Sequence, residues 1–256
     1  MAQSGPDSAA PPAVGRAKPA PSDAEVQATA PLVVPSPSAA SPTLAETFTS
    51  VGGDLRRMFS KSSVGMAVAF GGSALAAAPW DAEAASEGRE LPQGLFKPGN
   101  VTGALLTQVG ASFGTFAVGK ATGNARIAAL GSHLIRAQVA SQIVVQSVKL
   151  ATQRSRPDAS NHLSFPSGHT ASAFATATVL QRDFGWKVGI PAYAVGAYVA
   201  AARVSSTKHY LSDVIIGAAI GVSAGRAVTV GAGKVKFDLG VVPTAGGAAL
   251  TLTKRP

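Results

Sequence analysis

The chain of 256 residues has room for one sizeable domain with long tails, and its 14% charged residues fall well below the roughly 25% usual in soluble domains. It has no cysteine, which excludes disulfides and thiolate metal sites. A formal net charge of +9 favours anionic partners, among them phosphate esters, anionic lipid surfaces and nucleic acid, without choosing between them.

Residues 1–43 are rich in Ala, Pro and Ser. They bury too little apolar surface to offset their ordering entropy, so a disordered tail is expected. The stretch lacks the charged-then-apolar start of a signal peptide. Thr43 followed by Glu46 has capping-box spacing and opens a helix through Leu44, Phe48, Val51 and Leu55, weakened by Gly52 and Gly53. Arg56-Arg57 ahead of the apolar run Val64 to Ala78 resembles an export signal, even a twin-arginine one. Its depth in the chain favours a first core or interfacial helix instead.

Helical periodicity follows over 99–120, 125–153, 169–182, 187–202 and 208–228. Gly123-Asn124, Pro157, Gly185 and Arg203 to Thr207 separate these segments. Abundant Ala and Gly suit helices packed closely, in water or in a bilayer. The segment 125–153 carries Arg126, His133, Arg136, Gln138, Gln142 and Gln146, too many polar groups for lipid on all sides. The segments 187–202 and 211–229 are apolar enough to be buried or to touch lipid. Beyond Gly233 the period changes to two (Val235, Phe237, Leu239 and Val241, then Leu250 and Leu252), which predicts a β-hairpin tail over 231–256. The expected architecture is all-α: a helical domain over 44–230 with that hairpin appended.

Three clusters carry chemistry. Lys149 lies on a helix, and Arg156 is expected where Pro157 ends it, so two cations can face one place. Alone this is ordinary compensation of a helix dipole. In the second cluster, Pro166-Ser167-Gly168-His169, Ser167 can cap a helix and Gly168 lets an anion approach the backbone, while His169 can give a proton to a leaving group. A routine cap with a surface histidine reads equally well. In the third, Arg203 precedes His209 and Asp213, four apart and so on one face of a helix. Asp213 can then orient one imidazole nitrogen and leave the other to attack. An ordinary i,i+4 pair is the bland alternative, made less plausible by the apolar helix that follows.

Taken together, KLATQRSRP, PSGH and ARVSSTKHYLSD resemble the three-part signature of the type 2 phosphatidic acid phosphatase and vanadium haloperoxidase superfamily. The match lies within 149–213 and departs from the pattern at one position, where Ala202 replaces a serine. The resemblance implies a helical bundle of that type. It implies a phosphohistidine on His209, Asp213 orienting it and His169 as general acid. Lys149, Arg156 and Arg203 would clamp the phosphate, assisted by Ser167 and Gly168.

No metal or other cofactor is called for, and vanadate is expected to bind as a transition-state mimic. The implied substrate is a phosphate monoester or diphosphate, with a lipid phosphate such as phosphatidic acid favoured. A membrane surface is an expected partner and nucleic acid is not; nothing sets an oligomeric state. A bacterial cell envelope, membrane-associated or periplasmic, is the expected location. A vanadate-dependent haloperoxidase and a non-catalytic protein binding anionic lipid are the competing readings. Of the remaining residues, His133 reads as structural, His162 as a solvated loop residue, and Arg154 as a neighbour of the first cluster that could touch substrate.

Overall fold

The computed structural model describes Met1 and residues 41–230, 236–244 and 247–255; the tail expected over 1–43 lies, apart from its ends, outside the described residues. The first helix begins where the capping signal places it. Glu46 N–H donates to Thr43 Oγ1 at 3.2 Å, and Thr43 N–H donates to Glu46 Oε2 at 2.8 Å. The single helix expected there is two: α1 (Leu44–Thr49) stops at Ser50, whose hydroxyl donates to the Glu46 carbonyl at 2.7 Å, and α2 (Val51–Met58) resumes after it. The run 56–78 closes α2 and forms α3 (Lys61–Ala77).

A short 3-10 turn leads into α4 (Asp81–Glu90), which periodicity did not reveal because its sequence, DAEAASEGRE, holds no large apolar residue. Next come α5 (Lys97–Gly103) and α6 (Leu105–Ala121), bent relative to one another by 48°. The site-bearing helices are α7 (Ala125–Thr152), α8 (Gly168–Phe184), α9 (Trp186–Ser205) and α10 (Leu211–Val230).

Helix α8 is central: α10, α9 and α7 all pack on it, α6 lies against α7, and α3 lies against α10. The α8–α10 approach is set by backbone contact. A Cβ at Gly217 would fall 2.5 Å from the Ser167 carbonyl oxygen, and one at Gly221 would fall 2.3 Å from that of Ala171. These glycines recur every four residues on one face of α10, so only a bare backbone fits there. Behind them Leu134, Ala137, Ala175, Val179 and Val228 form an apolar core across α7, α8 and α10.

Three polar groups of α7, His133, Arg136 and Gln138, point into protein. Gln138 donates to Ser172 O at 3.1 Å and to Thr176 Oγ1 at 3.0 Å, and His133 meets Asp183 at 3.1 Å. Arg136 holds Asp54 of α2 with two bonds, at 2.7 and 2.6 Å, and both residues are buried. Removing one partner of such a pair leaves an uncompensated charge. Asp54→Ala is therefore expected to cost about 3–5 kcal/mol, read as a fall in the unfolding midpoint. Two helices, Trp186–Ser205 and Leu211–Thr229, are long and apolar enough to cross a membrane by length and composition.

Candidate active site

Helix α7 does not run to Pro157. It ends at Thr152, because Gln153 takes a left-handed conformation (φ 43°, ψ 41°) and its N–H closes on the Lys149 carbonyl. Arg156 therefore stands in the loop beyond, its N–H bonded to Asn161 O at 3.0 Å, and not at a helix end. Lys149 remains on the last turn, where its ammonium donates to Leu163 O at 2.5 Å and lies 3.4 Å from Ser164 O. The Arg156 guanidinium is aimed by Asn161 Oδ1 at 2.8 Å and Lys208 O at 3.1 Å. Arg203, on the last turn of α9, donates to Asn100 Oδ1 of α5 at 2.7 Å. Among the described residues none of these three cations has a carboxylate partner.

Helix α8 begins at Gly168. Ser167 is its N-cap, accepting from Thr170 Oγ1 at 2.9 Å and, more distantly, from Thr170 N–H. The Ser167 side chain is fully buried, and its oxygen accepts at that cap. His169 sits one residue into the helix.

His209 and Asp213 do not share a helix face. Helix α10 starts only at Leu211, and His209 lies in the preceding loop, its N–H bonded to Arg203 O at 3.2 Å. The pair still meet: His209 Nδ1 is 3.5 Å from Asp213 Oδ2, an orienting contact longer than a hydrogen bond. Asp213 is otherwise occupied. Its Oδ2 accepts the Ser164 hydroxyl at 2.5 Å and the Tyr210 N–H at 2.9 Å, and its Oδ1 accepts Arg154 Nη1 at 2.7 Å. Arg154, weighed above as a substrate contact, thus faces the carboxylates behind the pocket. Ser164 gave no signal of its own.

The result is a pocket of about 230 Å³ lined by Lys149, Arg156, Gly168, His169, Arg203 and His209, with Leu105, Gln142, Gln146 and Leu163 around them. Six of the eight residues singled out from the sequence line it; Asp213 and Ser167 stand behind. His162 lies apart in the loop, paired with Ser155 at 2.8 Å. Ala202 is fully buried, and a Cβ at Gly99 would come within 2.8 Å of its methyl.

Burial and crowded positive charge govern the site's protonation. His209 is pushed down to about 4, first by burial and then by Lys149 and Arg203, with Asp213 pulling the other way. His169 falls to about 3 through burial, Arg203, His209, Arg156 and Lys149. Lys149 drops to about 8, through burial and then the neighbouring Arg156. At neutral pH the pocket thus presents two uncharged imidazoles and three cations.

Residues 131–236 match the sequence model of the PAP2 superfamily, a span that contains all three clusters. This stretch is similar to the PAP2 superfamily. Over 86 residues the chain is 36% identical to a lipid A 1-phosphatase of Porphyromonas gingivalis, a match covering 32% of this chain and 19% of that protein. The chain thus spans about a fifth of the curated relative's length. Among solved structures it is similar to a transmembrane PAP2-type phosphatidylglycerolphosphate phosphatase from Bacillus subtilis, at 17% identity and a TM-score of 0.47, covering 73% of this chain and 94% of that one. The segment matched to the family model runs from within α7 through α10.

Proposed function

We propose that the chain is a phosphatase hydrolysing phosphate monoesters or diphosphates through a phosphohistidine on His209, with a membrane lipid phosphate such as phosphatidic acid as substrate. The observation that carries this reading is three cations that have no carboxylate partner among the described residues and converge on a neutral histidine. Two of them are nearly inaccessible, Lys149 at 6% exposure and Arg203 at 8%. Buried cations of this kind need an anion to balance them, and a phosphate dianion does so.

With its phosphate held by Lys149, Arg156 and Arg203, the ester presents phosphorus to His209. Nδ1 is turned to Asp213, so Nε2 is the attacking atom. The P–O bond breaks as the N–P bond forms, and the leaving oxygen takes a proton from His169. Water then cleaves the N–P bond, with His169 recovering a proton as base. Because burial and the surrounding cations keep His169 neutral, its proton arrives with a monoanionic ester or is taken up as the dianion binds. Every step uses side chains of this chain; the proposal assigns no metal or cofactor a part, and vanadate is expected to occupy the same pocket.

The titration of free enzyme follows from these groups. The His209 nucleophile stays neutral down to about pH 4, and Lys149 keeps its charge up to about pH 8. A profile of kcat/KM against pH is expected to fall below the first value and above the second. In Lys149→Arg the alkaline limb should move to higher pH, since guanidinium does not deprotonate there. An alkaline limb unmoved in that variant would remove Lys149 from the clamp.

The lipid half is supported by a second pocket of about 420 Å³ between α6 and α7. Val109, Val139 and Ile143 line it, and Leu105, Gln142 and Gln146 are shared with the phosphate pocket. An apolar tail can lie there while its phosphate is clamped. The loop carrying His209 also joins the two helices apolar enough to cross a membrane, which puts the site at one end of both. The activity named for the P. gingivalis relative points the same way. A membrane-associated position in a bacterial cell envelope belongs to this proposal, as does a C-terminal hairpin appended to the helical fold.

Val139→Trp, which fills the groove, tests the lipid assignment. It should lower kcat/KM for a long-chain lipid phosphate by roughly tenfold or more and spare a small aryl phosphate. Equal effects on both substrates would remove the lipid half and leave the phosphatase.

A further inference from the structure

Behind the pocket, outside the PAP2 segment, one carboxylate holds the start of α10. Asp81, the first residue of α4, is 5% exposed. Its Oδ1 accepts the Ser212 N–H at 2.8 Å. Its Oδ2 accepts the Ser212 hydroxyl at 2.6 Å and Arg154 Nη2 at 2.8 Å. The other arm of the same guanidinium donates to Asp213 Oδ1 at 2.7 Å and to Ser212 Oγ at 2.8 Å, and its face lies 4.1 Å from the centre of the Tyr210 ring.

The first N–H groups of α10 need acceptors from outside the helix. Tyr210, which precedes it, has no side-chain oxygen able to turn back on them. Asp213, three residues on, accepts the Tyr210 N–H as the acid of a capping box does. Asp81 supplies from another helix the acceptor that a Ser or Asp cap would provide.

We infer that Asp81 is a positioning residue for the His209 nucleophile, acting through Arg154 and the first turn of α10; this rests on the phosphatase reading above. Two effects join in it. The backbone from Tyr210 to Asp213, which His209 immediately precedes, is pinned by the Asp81 bonds to Ser212. One guanidinium is also shared between two carboxylates. Without Asp81, Arg154 centres on Asp213 alone and draws negative charge away from His209 Nδ1. Lys149, Arg156, Arg203 and His169, the other charged or titratable groups around His209, do not touch Asp81.

The test compares wild type, Asp81→Asn, Arg154→Gln, the double variant and His209→Ala on a small aryl phosphate in detergent. Asp81→Asn should lower kcat by roughly 10- to 100-fold with KM changed about twofold or less, the scale seen when outer partners of a working side chain are lost. Its acid limb of kcat/KM should move to lower pH, because one negative charge has gone. The double variant should be no worse than the poorer single one, since both act on one contact. A purely structural Asp81 would lower the folded fraction and leave the acid limb in place; that result, or a wild-type kcat, overturns the inference. If Asp81→Asn does not fold, Arg154→Lys keeps the charge but not the fork; wild-type kcat in that variant overturns it equally. Turnover abolished in His209→Ala but normal in Asp81→Asn would remove the positioning role alone, whereas turnover persisting in His209→Ala would remove the phosphatase mechanism.

Discussion

His209→Ala is expected to abolish phosphate-ester hydrolysis, with kcat down by roughly 10⁴-fold or more, the scale of losing a nucleophile from a concerted site. The expectation follows from placement. Its side chain lines the phosphate pocket, is 2% exposed, and turns Nδ1 to Asp213, leaving one nitrogen for attack. The three cations remain in the variant, so vanadate or inorganic phosphate should still bind it. Wild type quenched in alkali during turnover should carry phosphate on protein that acid releases, and the variant should carry none. Wild-type turnover by a folded His209→Ala protein would end the phosphohistidine reading.

His169→Asn should separate substrates by leaving group. General acid catalysis contributes about 10²- to 10⁴-fold where the departing oxygen needs a proton. An alkyl phosphate, lipid phosphates included, should lose that much in kcat, whereas an aryl phosphate, whose phenolate departs readily, should lose little. The burial and positive surroundings that keep the His169 imidazole neutral also make it a strong proton donor once charged. A uniform loss on both substrates would assign His169 to binding instead.

Local chemistry made part of this site visible in the sequence. Lys149, Arg156, His169, Arg203 and His209 stand at helix ends or in the loops beside them, where spacing and turn residues give a signal, and the fold brings them to one pocket. The reach of each helix was harder to read. Proline at 157 suggested the end of α7, yet a left-handed Gln153 ends it sooner. Helix α10 starts later than its apolar pattern because His209 N–H is taken by the Arg203 carbonyl, a contact between segments that no local rule contains. Asp213, three residues after Tyr210, was the available cue to that boundary. Asp81 left no cue: its helix is polar and short, and its partners, Arg154 and Ser212, are remote in sequence. Arg154 and Arg156 look alike in the chain, and they are told apart only by the two carboxylates that face Arg154, while Arg156 bonds Asn161 and the Lys208 carbonyl at the pocket.

The bare glycine face of α10 has a mechanical consequence. His169 rides on α8 and His209 on the loop that enters α10, and these helices touch main chain to main chain at Gly217 and Gly221. The spacing of the backbones that carry these two histidines is thus gauged by a main-chain contact, which has no rotamers to rearrange. Side chains elsewhere in the bundle can repack as temperature changes, while the two backbones keep their spacing like marks on a ruler.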